Sequence, residues 1–286
     1  MWILYALASA FFAGSVSFLA KIGIKNTDSN LATALRTIVV TIFAWLMAFI
    51  TGSHSGLQQI TVKSLTFLIL SGLATGASWR CYFRALQLGN INKVVPVDKS
   101  STILTMLLSF VLLSENVTWL KVIAMITIGL GTYLMIDRKQ SDSTAQQGRK
   151  WLIYAILSAM FASLTAILGK IGIENVESNL GTAIRTMVVL AMAWLIVFSQ
   201  GKQSKIRDID KRSRIFIGLS GVATGLSWLC FYRALQEGPA SIVVPIDKLS
   251  ILVTVAFSCL FLREKLSKKT AGGLALIVLG TLSLLI

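Results

Sequence analysis

Long apolar runs separated by short polar segments make up almost the whole chain. Ten can be read, at about residues 2–20, 31–50, 65–87, 94–113, 118–136, 151–169, 180–199, 215–236, 243–262 and 270–286. Each approaches the ~20 residues that a helix rising about 1.5 Å per residue needs to cross a hydrocarbon core of about 30 Å. Stretches such as Ile128–Ile136 and Leu274–Ile286 do not alternate apolar with polar positions, so the short strands of a membrane barrel are excluded. The pattern predicts an all-α membrane protein. Its first run lacks a basic leading segment and a small-residue cleavage site, and reads as a retained helix.

The runs repeat. Sliding the sequence on itself by 149 positions aligns Trp2 with Trp151 and continues without a gap to the C-terminus, with 59 identities in 137 pairs. Shared strings include Lys21-Ile22-Gly23-Ile24 with Lys170-Ile171-Gly172-Ile173, and Arg84-Ala85-Leu86-Gln87 with Arg233-Ala234-Leu235-Gln236. The chain therefore reads as a five-helix repeat over 1–136, a polar linker over 137–150 and a second five-helix repeat over 151–286. Five is odd, so the second copy must enter the membrane from the opposite side. The expected architecture is ten transmembrane helices arranged as two inverted-topology repeats.

Composition and charge refine this picture. Hydrophobic residues are 55% of the chain and charged residues 14%, with a mean hydropathy of +0.76. A net charge of +15 would in a soluble protein point to nucleic acid, but here the basic residues lie in the short segments between apolar runs, so a nucleic-acid partner is dropped. With the N-terminus outside, 17 Lys and Arg residues fall in cytoplasmic segments and three (Lys63, Lys121 and Lys170) fall outside. This count puts both termini outside and the linker in the cytoplasm.

Several motifs carry a resemblance. Lys21 ends the first run, Arg36 opens the second, the third is Gly-rich, and Val-Val-Pro-Val-Asp-Lys (94–99) opens the fourth. In the second copy Val243-Val244-Pro245-Ile246-Asp247-Lys248-Leu249-Ser250 is followed by Phe261-Leu262-Arg263-Glu264-Lys265-Leu266, then Gly272 and Gly280. Over nearly its whole length the chain resembles the EamA-type drug/metabolite transporters. That resemblance implies a ten-helix carrier of small metabolites, often an exporter of amino acids or similar compounds, with a central cavity at the repeat interface. It implies a bacterial inner (plasma) membrane location. Relatives usually keep both termini in the cytoplasm, whereas the Lys and Arg count here gives the reverse.

Charged residues inside the runs are the first candidates for transport, because each needs a partner or water. Arg84 and Asp98 flank a short turn, as do Arg233 and Asp247, so each pair is expected at similar depth, as a structural ion pair or as a gate. Lys99 and Lys248 follow the carboxylates, about 100° around the helix. They are expected to bind substrate, or else to snorkel to the headgroups. Pro96 and Pro245 are read as helix-breaking, with free N–H groups near them favouring a zwitterionic or anionic substrate. Trp79, Trp228, Tyr82 and Tyr232 are expected on a cavity wall, with Thr75 and Thr224 beside them among small residues that also suit close packing. For Arg36 and Arg185 interface anchoring comes first, ahead of binding substrate or lipid phosphate. For Glu115 and Glu264 a solvated turn or helix cap suffices.

Other chemistry is missing. The chain has no Walker A loop, a single histidine (His54), and cysteines 81, 230 and 259 without ligand spacing, so no enzyme, cofactor or metal is expected. Small multidrug resistance proteins use a carboxylate in their first helix; runs one and six here contain none, which disfavours proton exchange by that route. The reading is a secondary carrier of small metabolites, with a small-molecule substrate and the lipid bilayer as partners and a monomer sufficient. Its rivals are an exporter of organic cations or drugs, and a non-transporting membrane scaffold.

Overall fold

The computed structural model describes residues 1–23, 27–88, 94, 97–98, 100–134, 150–262 and 268–285. Among these the α-helices are α1 (Trp2–Gly23), α2 (Ser29–Ile50), α3 (Val62–Leu88), α4 (Ser101–Leu112), α5 (Trp119–Leu134), α6 (Lys150–Gly172), α7 (Ser178–Ser199), α8 (Lys211–Glu237), α9 (Ala240–Lys248), α10 (Ser250–Leu262) and α11 (Lys268–Leu282). No strand occurs among the described residues. Expected residues Pro96 and Lys99 lie outside them, as do residues 135–149 of the linker region.

Local chemistry sets the helix ends. Asp28 accepts hydrogen bonds from the N–H groups of Asn30 and Leu31 to start α2, Glu177 does the same for Asn179 and Leu180 at α7, and Asp210 accepts from Ser213 N at α8. At their other ends α2 and α7 run into Gly52 (φ 71°) and Gly201 (φ 63°), left-handed positions that a side chain would strain. Short 3-10 helices follow at Ser53–Gln59 and Lys202–Ile206.

Six helical segments are long and apolar enough to cross a membrane: most of α2, then α6, α7 and α8, the continuous stretch Ala240–Phe257, and Lys268–Leu285. A seventh is reached if Ser53–Gln59 and Val62–Tyr82 of α3, which meet at a bend of 116°, are taken together as one span. Trp2–Val16 of α1, α4 and α5 are apolar but shorter. The ninth apolar run is divided, with α9 ending before Leu249 and α10 starting after it. Pro245, expected to break the helix, sits inside α9. The interruption comes at Leu249, where the turn tightens and its N–H reaches Ile246 O at 3.0 Å. A missing proline N–H removes one bond of the helix without preventing the next turn from closing.

The distribution of side chains inverts that of a soluble protein. Leu4, Phe11, Ile42, Phe49, Val111 and Leu195 are exposed around the outside, where only lipid suits them. The interior is small and hydroxylated, with Ala34, Ala155, Ala183, Ser9, Ser71 and Ser158 fully or almost fully buried. This is an integral membrane protein. Its tightest packing joins α1 to α8 and α3 to α6, with α2 against α7 through the middle and α5 against α11 at the edge. Small residues allow that approach. A Cβ added at Gly72 or Gly76 of α3 would lie 2.7 Å from Val188 or Met192 of α7, and one at Gly221 or Gly225 of α8 would lie 2.7 Å from Val39 or Phe43 of α2.

Candidate functional site

Where α1 and α6 pass α8 and α3, serine replaces larger residues, and the two deep carboxylates turn to these serines. Ser9 of α1 donates to Asp247 Oδ1 at 2.6 Å and lies 3.2 Å from the hydroxyl of Ser227 on α8. Ser158 of α6 donates to Asp98 Oδ1 at 2.7 Å and lies 3.3 Å from the hydroxyl of Ser78 on α3. Ser78 and Ser227 belong to the small residues of the third runs expected to suit close packing, whereas Ser9 and Ser158 carried no expectation. The available signal was that all four recur at the 149-residue offset.

Between these crossings lies a cavity of about 260 Å³. Asp247 and Lys248 form part of its wall from the last turn of α9, and the rings of Trp79 and Trp228 also line it, tilted by 34° with their centres 6.5 Å apart. Tyr232 and Phe231 of α8 add further aromatic surface, while Thr75, Ser101 and Thr105 contribute hydroxyls. Lys248 thus faces a polar chamber instead of snorkelling to the headgroups.

One charged wall residue reverses its expectation. Arg185 was expected first as an interface anchor, but it is only 2% exposed and lines this cavity. Its Nε donates to Ser71 Oγ at 3.0 Å and its Nη2 to Thr75 Oγ1 at 2.6 Å. The rings of Trp228 and Tyr232 lie 4.7 and 4.8 Å from the guanidinium carbon. Helix α7 carries Arg185 inward because its neighbours on α3, Ser71 and Thr75, are small enough to admit it.

Other expected residues go elsewhere. Tyr82 packs with Ala85, Val94 and Ala155, and Thr224 donates to Ser220 O at 2.7 Å; neither lines the cavity. Arg84 lines a second cavity of about 510 Å³ with Arg80, Tyr154 and Gln200. The expected Arg233–Asp247 pair does not form. Arg233 Nε bonds Glu237 at 2.7 Å, one turn along α8, and Nη1 approaches Glu177 at 3.8 Å. Asp247 is seven residues into α9, about 10 Å deeper than its start, so the two groups do not share a depth.

The free N–H groups expected to favour an anion are also accounted for. The α9 N-terminus is capped by the protein itself, as Glu115 from the segment after α4 accepts from Ala240 N at 2.6 Å and Ser241 N at 3.1 Å. Lys170 donates to the carbonyls of Leu235 and Gly238 at the end of α8. Together these contacts tie down one end of the cavity-lining helices. At the opposite end Asp28 accepts from Lys202 at 2.6 Å. Burial would raise the Asp28 pKa, but the Lys202 ammonium and the N–H groups of Leu31 and Asn30 outweigh it and hold the carboxyl below its usual value. Cys81 and Cys230 are free thiols, and no cluster of three metal-ligating side chains occurs among the described residues.

Known proteins resemble this chain at three levels. A protein of Sinorhizobium sp. described as an uncharacterized transporter in the cobO 3' region is 44% identical over 136 residues, which is 48% of this chain and 96% of that protein. An uncharacterized transporter of Archaeoglobus fulgidus is 22% identical over 265 residues, covering 92% of this chain and 90% of the relative. A solved crystal structure shares the fold with a TM-score of 0.82 at 16% identity, across 99% of this chain and 96% of its own. The EamA-like transporter family matches over residues 1–137 and again over 149–286, so a helical membrane protein with a polar chamber at its centre is a membrane transporter, and the chain belongs to the EamA-like transporter family.

Proposed function

We propose that this transporter is a secondary carrier of small zwitterionic or anionic metabolites, amino acids among them, working by alternating access in the export direction. The observation that carries the reading is the central cavity, which sets one carboxylate (Asp247), one ammonium (Lys248) and a pair of neighbouring tryptophans around a volume of about 260 Å³. A chamber of that size and chemistry suits a compact molecule with both charges and an apolar body. Family members are as a rule not enzymes, and the cavity is read here as a binding chamber.

The proposed scaffold is ten transmembrane helices in two inverted five-helix repeats, residues 1–136 and 151–286, joined by a cytoplasmic linker, with both termini outside the plasma membrane. The 149-residue duplication and the double family match support it. So does the pairing of α1 with α8 and α3 with α6, which relates the same sequence positions across the two copies. Inverted repeats offer the carrier two forms of similar energy, because exchanging the roles of the copies reverses the open side.

Counterflow of radiolabelled amino acids in proteoliposomes tests the function. Saturable exchange of at least one amino acid, lost in Asp247→Asn, is the expected result. Exchange confined to organic cations would replace this reading with drug export, and no exchange of any solute would leave a scaffold.

A further inference from the structure

We propose that Arg185 is the anion anchor of the cavity, holding the carboxylate of the transported molecule through Nη1 with the Tyr232 hydroxyl as a second donor; the proposal rests on the transport reading above. Arg185 is buried within a membrane-spanning helix, and no carboxylate among the described residues pairs with it. A guanidinium in such a place needs a counter-charge. Its protein partners are neutral. Ser71 and Thr75 direct their own hydroxyl protons to the carbonyls of Thr165 and Ser71, so each turns a lone pair to the guanidinium and offers no charge.

These bonds fix two of the guanidinium nitrogens, and Trp228 and Tyr232 pack against the planar group. What remains is Nη1, which has no hydrogen-bond partner; the hydroxyl of Tyr232, whose ring packs on the guanidinium, has none either. Buried polar groups normally find partners, and two unpartnered donors belonging to adjacent cavity-lining residues mark a place left for an acceptor. A carboxylate can accept a charge-assisted bond from Nη1 through one oxygen and a bond from the tyrosine hydroxyl through the other. Lys248, on the same cavity, then serves as a second and less directional cation.

Binding to the purified full-length protein, followed by calorimetry and thermal shift, tests this with four probes sharing one ring: phenylalanine, 3-phenylpropionate, phenylalaninamide and phenethylamine. The ring suits the walls formed by Trp79, Trp228 and Phe231. The two carboxylates are expected to bind at least about tenfold more tightly than the amide and the amine, as the loss of a charge-assisted hydrogen bond implies. Arg185→Gln should erase that preference and Arg185→Lys should restore part of it. Tyr232→Phe keeps the ring against the guanidinium and leaves the bonds of Arg185 to Ser71 and Thr75 in place, and it should weaken carboxylate binding about fivefold.

Equal binding of all four probes, no binding of either carboxylate, or an unchanged preference in a folded Arg185→Gln overturns the proposal. Unaltered carboxylate affinity in Tyr232→Phe removes the second donor. Flux of the same probes through proteoliposomes separates this proposal from the transport reading. Carriage of the amine or amide without the acids leaves transport standing and sinks the anchor. Arg185-dependent binding of the acids with no flux of any probe does the opposite.

Discussion

The first and second copies of the repeat share their scaffold and differ at their centre. Gly72 against Val188 and Gly221 against Val39 are the same contact at the same 2.7 Å, and the Ser9–Ser227–Asp247 and Ser158–Ser78–Asp98 clusters have matching bonds. The cavity is unequal. Asp247 and Arg185 of the second copy line it, whereas their counterparts Asp98 and Arg36 of the first do not. Arg185 is buried in its cage while Arg36 is half-buried. A duplicated chain in a single conformation has to break its own symmetry somewhere. Here the packing seams stay alike and the polar chamber does not.

The largest effect should come from the seams. Gly72→Val and Gly221→Val each force a side chain into a 2.7 Å gap, and each should destabilise the protein by about 3 kcal/mol. Thermal melting in detergent should show similar losses for both, and a neutral substitution at one site would break the equivalence of the scaffolds.

Next come the serine clusters. Ser9→Ala and Ser158→Ala each remove a hydrogen bond to a carboxylate, and about 1.5–3 kcal/mol of stability should go with it in either copy. Transport should separate the pair, since Ser9 orients a cavity carboxylate and Ser158 orients one outside the cavity wall. Equal loss of transport in both variants would contradict the unequal cavity.

Lys248→Ala should weaken substrate binding by about tenfold, or about 1.4 kcal/mol, with melting little changed. Tyr82→Phe should leave affinity as it is, because Tyr82 lies away from the chamber. Titrating the substrate against both variants would show whether the chamber's asymmetry governs recognition.

The smallest difference lies at the helix caps. Asp28 meets Lys202 at 2.6 Å, while its counterpart Glu177 sees Arg233 at 3.8 Å. The Asp28 pKa is lowered in the folded protein, so its contribution is complete above the usual carboxylate value of about 4 and is lost as the pH falls through the lower folded value. Asp28→Asn should therefore remove about 0.5–1 kcal/mol at neutral pH and nothing in strong acid. Melting temperatures across pH check the sign; a deficit that grows on acidification would refute it.

Much of this was legible in the amino-acid order. Apolar run length required membrane helices, an offset of 149 positions aligns one half of the sequence with the other, and an ionisable pair within an apolar run made Asp247 and Lys248 candidates. Trp79, Trp228, Tyr232 and Thr75, expected on a cavity wall, line the chamber. Only the tertiary structure decided which copy's residues face the chamber, that Asp247 and Asp98 turn to serines on a neighbouring helix, that Glu115 caps α9, and that Arg185 leaves the interface for the core. The reason is physical. Helical periodicity says which residues share a face, but the neighbour meeting that face is chosen by packing across the whole bundle, and two similar helices acquire different chemistry when their surroundings differ.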